Sequence, residues 1–333
     1  MNPCSQIAEK LVAPGKGILA ADESIGTMNS RLDKAGVPGT AENRQVYREL
    51  LAATPGLADG ASGIIFCDET LNQTFADGTP FARAVLALGI LPGIKVDTGA
   101  RPCPGLPGET ITEGLDGLPA RLSGYADLGA AFAKWRAVYT ITPQLPSPGA
   151  IRANAHALAR YAAACQEAGI VPIVEPEVLM DGDHGLDRCA EVTTAVHAAV
   201  REELALLNVD LAGIVLKPNM VIEGSGNPET STPEEVAAAT VAVLRAWPDQ
   251  LAGVAFLSGG QPPERATANL EAMQHHRTSW PLSFSFGRAL VDPALAAWHG
   301  DADLVAAGQA ALADRVAANA AAVRLRSQLQ PAS

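Results

Sequence analysis

Ile170-Val171-Pro172-Ile173-Val174-Glu175-Pro176-Glu177 is a short apolar run that ends on two carboxylates. Its apolar part shows no polar alternation, which is what a parallel strand covered on both faces requires. Period-two geometry places Glu175 and Glu177 on the same side of that strand. An Ala-rich helical pattern, residues 151–168, precedes the run and stops at Gly169, a good helix terminator. A second helical pattern, residues 187–207, follows it.

Working outward, seven more runs of this kind occur. They begin near Gly17 (GILAAD), Ser62 (SGIIFCDE), Pro92 (PGIKVD), Phe132 (FAKWRAVY), Leu211 (LAGIVLKP), Gly253 (GVAFLSGG) and Pro281 (PLSFSFGR). Consecutive starts lie 28–45 residues apart, with helical patterns between many of them. Residues 44–53 are amphipathic, and residues 303–325 read as a final helix. Thr232-Pro233-Glu234-Glu235 opens another, with Thr as N-cap, Pro in the first position and acids in the first turn. Alternating βα units of this number predict an α/β protein, a (β/α)8 TIM barrel in one domain over residues 1–333. The competing doubly wound sheet would carry GxGxxG after its first strand. Asp22-Glu23-Ser24-Ile25-Gly26 stands there instead. No Ser-, Gly- or Pro-rich linker divides the chain. Residues 102–107 read as a stiff loop, and 326–333 as a short mobile tail.

Composition narrows the function. The 333 residues are 48% hydrophobic and 18% charged, a globular balance. The net charge is −12, so nucleic acid and anionic membrane surfaces are poor partners, whereas a local cationic pocket for a small anion is compatible. No apolar run is long enough to span a bilayer. The start Met1-Asn2-Pro3-Cys4-Ser5-Gln6 lacks the pattern of a secretory signal, so the expected location is cytoplasmic. Cys4, Cys67, Cys103, Cys165 and Cys189 form no CxxC pair and read as reduced thiols. The six histidines form no HxH, HxxxH or Cys/His cluster, so neither metal nor other cofactor is expected.

Barrel enzymes carry their chemistry at the C-terminal ends of the strands. Those ends hold Asp22 and Glu23, Asp68 and Glu69, Lys95 and Asp97, Lys134 and Arg136, Glu175 and Glu177, Lys217, Ser258 and Arg288. Charges within such apolar runs are costly unless paired or functional. The chain has only six lysines, and three of them, Lys95, Lys134 and Lys217, fall in predicted strands. Only lysine can offer a neutral amine, since guanidinium does not deprotonate in proteins. A desolvated lysine among cations becomes nucleophilic toward a carbonyl and forms a Schiff base. Lys217, followed by the strand-stopping Pro218, is the best placed. Glu175, Glu177 and Asp22 can move the protons this requires, the lesser alternative for the two glutamates being a structural ion pair with Lys134 or Arg136. Ser258-Gly259-Gly260 and Gly287-Arg288, after the last two strands, are phosphate-site candidates.

These residues resemble class I fructose-bisphosphate aldolases, the metal-independent Schiff-base type. The resemblance runs from Gly15 to Leu290. It includes GKGILAADES (from Gly15), GIKVD (Gly93), GLDGL (Gly114), FAKWR (Phe132), ARYAAACQEAGIVPIVEPEVLMDGDH (Ala159), LKPNM (Leu216), FLSGGQ (Phe256) and FGRAL (Phe286). It implies a lyase of glycolysis and gluconeogenesis that reversibly cleaves fructose 1,6-bisphosphate to dihydroxyacetone phosphate and glyceraldehyde 3-phosphate. It also implies a (β/α)8 homotetramer. Lys217 would form the iminium, and Glu175 would be the acid/base. Asp22, Lys134 and Glu177 would position and polarise the intermediates, with Arg136 close by. Ser258, Gly259, Gly260 and Arg288 would hold the C1 phosphate, and Lys95, Ser24, Thr27 and Arg31 would lie toward the C6 phosphate. Better-known animal members differ at Ala212 (Glu), Ser30 (Lys) and Thr27 (Ser), and end in a tyrosine that reaches the active site. The last tyrosine here is Tyr161, so no phenol is expected from the tail. Two other readings compete: another Schiff-base barrel aldolase or transaldolase, and a barrel kept only for binding.

Overall fold

The structure, a computed structural model, describes residues 3–329. Its strands are β1 (Gly17–Ala21), β2 (Ala61–Phe66), β3 (Leu91–Lys95), β4 (Gly99–Pro102), β5 (Thr110–Glu113), β6 (Phe132–Tyr139), β7 (Val171–Val178), β8 (Val215–Leu216), β9 (Gly253–Phe256) and β10 (Leu282–Phe286). Eight of them close into a parallel barrel in the order β1, β2, β3, β6, β7, β8, β9, β10. The remaining two, β4 and β5, form a separate antiparallel hairpin. Helices separate the barrel strands, and the single-domain (β/α)8 barrel is the fold of the protein. Among the described residues, no helix is long and apolar enough to cross a membrane.

Two layers of core follow from strand alternation. Outward-facing side chains such as Ile64, Phe66, Val174, Leu216 and Val254 pack against the surrounding helices. The inward layer holds Ile18, Ala20, Ile65, Phe132, Val171, Ile173, Val215 and Ala255. Cys4, Ala8, Leu11 and Val12, from helix Pro3–Leu11 and the residue after it, join this layer and close the N-terminal end of the barrel. Continuing the inward series by steps of two from Phe132, Ile173 and Val215 brings Lys134, Glu175 and Lys217 into the barrel above an apolar floor. The fold therefore prepares a dry base beneath a charged cluster.

Phe132 also explains two glycines on neighbouring strands. A Cβ at Gly93 would stand 2.3 Å from its ring, and one at Gly63 would stand 2.9 Å away. Gly93→Ala should therefore destabilise the barrel by about 1–3 kcal/mol through overpacking. Denaturant unfolding monitored by circular dichroism checks this. A variant as stable as the parent would show that the ring can move aside.

Three sequence expectations change in detail. The run at Leu211 is not a strand from its start. Asp210 caps a 3-10 turn, Leu211–Gly213, by accepting the Ala212 N–H at 3.0 Å, and only Val215–Leu216 pair as a strand. The stiff loop at 102–107 belongs to the connection of a hairpin, β4–β5, that no apolar run in the sequence announces. The last helix spans Val305–Leu329, beyond the expected end at 325, so the first part of the 326–333 tail is helical. Residues 330–333 lie outside the described residues. No disulfide joins the cysteines.

Candidate active site

The C-terminal ends of the strands open onto a cleft of about 380 Å3. At its base Lys134 Nζ lies 2.7 Å from Asp22 Oδ2 and 3.2 Å from Glu175 Oε2. Lys217 Nζ lies 3.2 Å from the other oxygen of Glu175. Glu175 thus bridges two lysines, one from β6 and one just past β8. All four side chains are buried, Lys217 to 3% exposure. Two ammonium groups and two carboxylates balance, which is the condition under which buried charges are tolerated.

Backbone bonds fix Lys217 where the strand stops. Its N–H donates to the Val174 carbonyl at 2.8 Å, and the Pro218 carbonyl accepts from the Leu257 N–H at 3.0 Å. Asn219 Oδ1 accepts from the Val178 N–H at 2.9 Å, which ties the same turn to β7. The amine is therefore presented from a rigid element, as a positioned reactive group requires.

Burial by itself raises the pKa of each carboxyl in the cluster, but the lysines win. Lys134, Lys217 and Lys95 bring Asp22 down to about 2, and Lys134, Lys217 and Arg136 hold Glu175 below its ordinary range. Burial works against the charge on Lys134, yet Asp22, Glu175 and Asp97 raise its pKa above the ordinary value. Because the folded pKa of Asp22 is depressed, its stabilisation is present above the unfolded value of about 3.9 and is lost as pH falls through about 2. The shift corresponds to about 2 kcal/mol. Acid titration of stability should show this loss between roughly pH 4 and 2, and Asp22→Asn should flatten the slope there. An unchanged slope in the variant would remove Asp22 as the source.

Around this base the remaining charges pair along the strands. Arg136 Nε donates to Glu177 Oε2, and the Arg136 pKa is raised by Glu177 against the effect of burial. Lys95 Nζ donates to Asp97 Oδ1 at 2.5 Å, and Asp97 Oδ2 accepts from the Arg136 N–H at 3.2 Å. At one end of the cleft, Ser258 and Gly259 line the wall beside Arg288. Gly259 and Gly260 both have positive φ, +61° and +89°, which side chains rarely adopt. A Cβ on Gly260 would meet Arg288 Nη2 at 3.1 Å. At the other side, Ser24 caps helix Ile25–Lys34 and its hydroxyl lies 3.0 Å from that of Thr27. Arg31 pairs with Glu23 and with Asp292, and Glu23 is also held by the buried Arg48.

Every residue given a site role from the sequence lines this cleft except Gly260, where an added Cβ would meet Arg288, while the strand-end acids Asp68 and Glu69 lie outside it and accept from Tyr125 and Arg44. Several further residues belong to the cleft. Asp97 and Glu23, strand-end acids to which the sequence gives no particular role, both line it. Ser285 also lines it, with a buried hydroxyl that has no partner among the described residues. Its signal was the Ser283/Ser285 alternation in an otherwise apolar strand. Asp292 and Arg48 were invisible because their partners are remote in sequence. Among the described residues, no three His, Cys, Asp or Glu side chains gather as a metal-binding group.

A closed parallel barrel with a charged cleft at the C-terminal ends of its strands is the arrangement of a barrel enzyme. The family model described as class-I fructose-bisphosphate aldolase, a glycolytic family, matches residues 4–330. A probable fructose-bisphosphate aldolase class 1 from Xanthomonas campestris is 54% identical over 299 residues, covering 89% of this chain and 90% of that one. Fructose-bisphosphate aldolase C from Pan troglodytes is 52% identical over 303 residues, covering 90% and 83%. The solved fructose-bisphosphate aldolase of Plasmodium falciparum superposes with a TM-score of 0.95 at 43% identity, covering 97% of this chain and 94% of that one. The chain belongs to the class-I fructose-bisphosphate aldolase family. It is an aldehyde-lyase that catalyses the reversible cleavage of fructose 1,6-bisphosphate in glycolysis.

Proposed function

We propose that cleavage runs through a Schiff base on Lys217. The observation that carries this is the buried Lys217–Glu175–Lys134 bridge at the base of the cleft. The amine must lose a proton before it attacks the C2 carbonyl of the sugar, and ionised Glu175, 3.2 Å away, is the nearest acceptor. The carbinolamine then loses its hydroxyl as water, with Glu175 returning the proton. The iminium is the electron sink. Removal of the C4 hydroxyl proton by Glu175 breaks C3–C4, releases glyceraldehyde 3-phosphate and leaves an enamine. Protonation at C3 and hydrolysis release dihydroxyacetone phosphate. Lys134 and Asp22 polarise the intermediates from the same base, and Glu177 with Arg136 extends the charged wall along β6 and β7.

Ser258, Gly259, Gly260 and Arg288 would take the C1 phosphate. The glycine turn brings backbone close to an anion, and Arg288 faces it. Lys95, Ser24, Thr27 and Arg31 would lie toward the C6 phosphate. Arg31 is engaged by two carboxylates, so it would exchange one of them for phosphate. The family resemblance further supports a homotetramer in the cytoplasm, and light scattering would measure the assembly.

The test is reductive trapping. Borohydride added with dihydroxyacetone phosphate should inactivate the enzyme and leave a reduced adduct on the peptide containing Val215-Leu216-Lys217-Pro218. EDTA should leave the cleavage rate unchanged. Label found only on another lysine, or activity lost to chelator and restored by zinc, would overturn the mechanism.

A further inference from the structure

At the N-terminal end of the barrel, away from the catalytic cleft, lies a second pocket of about 340 Å3. Its walls are the segment ahead of β1, the segment entering β10 and one face of the last helix. Val12, Trp280, Leu282 and Val323 make it apolar, and all four are buried. Two cations, Lys16 and Arg326, also line it, and no carboxylate among the described residues does. The chain as a whole carries a net charge of −12, so a cavity whose described charged lining is cationic departs from the overall balance.

The polar groups here are under-used. Arg326 Nη2 donates to the Thr278 carbonyl at 2.6 Å, whereas the enclosed Nη1 has no acceptor among the described residues. Burial lowers the Arg326 pKa, so its charge sits where an anion would be favourable. Trp280 Nε1 is likewise enclosed without an acceptor among the described residues. A buried donor left without an acceptor costs about 1–3 kcal/mol, and a small turn of the Arg326 head toward a bound anion would relieve that cost.

We propose that this pocket binds a small amphipathic anion, an apolar body carrying one carboxylate. The body rests on Val12, Trp280 and Val323, and the carboxylate lies between Lys16 and Arg326. A cavity of this size with apolar walls and a few convergent polar groups has the form of a small-molecule site. It shares no lining residue with the catalytic cleft, so the ligand does not compete with the sugar phosphate.

Titration calorimetry on the full chain tests this with three probes: octanoate, its neutral counterpart n-octanol, and inorganic phosphate. Octanoate should bind one per chain, at least tenfold tighter than either of the others. Lys16→Gln combined with Arg326→Gln should weaken octanoate at least tenfold and leave n-octanol unchanged. Val323→Trp should fill the pocket and abolish both. The cleavage kcat/KM of these variants should match the parent, which also reports correct folding. Should the double variant fold poorly, Lys16→Gln alone, at a half-buried position, should still weaken octanoate severalfold. The proposal fails if octanoate binds no tighter than n-octanol, if the variants bind it like the parent, or if phosphate binds best. It also fails if binding appears only after residues 330–333 are deleted, which would give the pocket to the chain itself.

Discussion

Lys217→Arg is expected to reduce cleavage of fructose 1,6-bisphosphate by on the order of 10^4-fold or more while the protein stays folded. The substitution keeps a cation 3–4 Å from Glu175 in roughly the same place, so the electrostatic balance of the cluster is kept. What is lost is the amine, because a guanidinium does not deprotonate and cannot form an iminium. Steady-state assay gives the rate, and borohydride trapping should yield no adduct. Circular dichroism and a melting curve separate this from misfolding, since the larger head enters a buried position. A variant that retains a tenth of the parent rate would mean that Lys217 only supplies charge.

Glu175→Gln should lower kcat by roughly 10^2–10^4-fold, the range expected for removing a general acid–base group. It keeps the shape of the side chain and loses its charge. Lys134 retains Asp22 at 2.7 Å, but Lys217 loses its ion-pair partner in a buried setting. Uncompensated buried charge typically costs about 3–5 kcal/mol, so a marked drop in unfolding free energy should accompany the loss of rate. The two effects are distinguishable by pH. If Glu175 moves protons, the pH profile of kcat loses its acidic limb in the variant. If Glu175 is only a structural counterion, the profile keeps its shape and activity falls with stability alone.

The sequence carried most of the site because strand chemistry is local. Lys134/Arg136 and Glu175/Glu177 are each two residues apart in a strand, which puts each pair on one side whatever the rest of the chain does. The scarcity of lysine marked Lys95, Lys134 and Lys217 together, and the strand-stopping Pro218 singled out Lys217 among them. The glycine turn at Gly259-Gly260 was visible as a turn, although its contact with Arg288 joins two different loops. The misses were non-local or subtle. Asp210 draws residues 211–213 into a turn through one side-chain bond, which apolarity in that run conceals. Ser285 is a small polar residue in an apolar strand, and its importance lies in the cleft it happens to face.

By itself the sequence determined the number of βα units, the apolar strands that close the barrel and the charged residues at their C-terminal ends. These follow from periodicity and from the cost of burying charge, both properties of short segments. The tertiary structure alone decided who meets whom. In the register of β6 and β7, Arg136 lies beside Glu175 and Lys134 beside Ile173, yet Arg136 pairs with Glu177 and Lys134 with Glu175. Each cation reaches two residues further along the neighbouring strand. Lys217 reaches the same Glu175 from β8, and Asp22 reaches Lys134 from the far side of the barrel. Barrel closure and strand stagger set these meetings, and both are properties of eight strands together, which no single stretch of sequence contains.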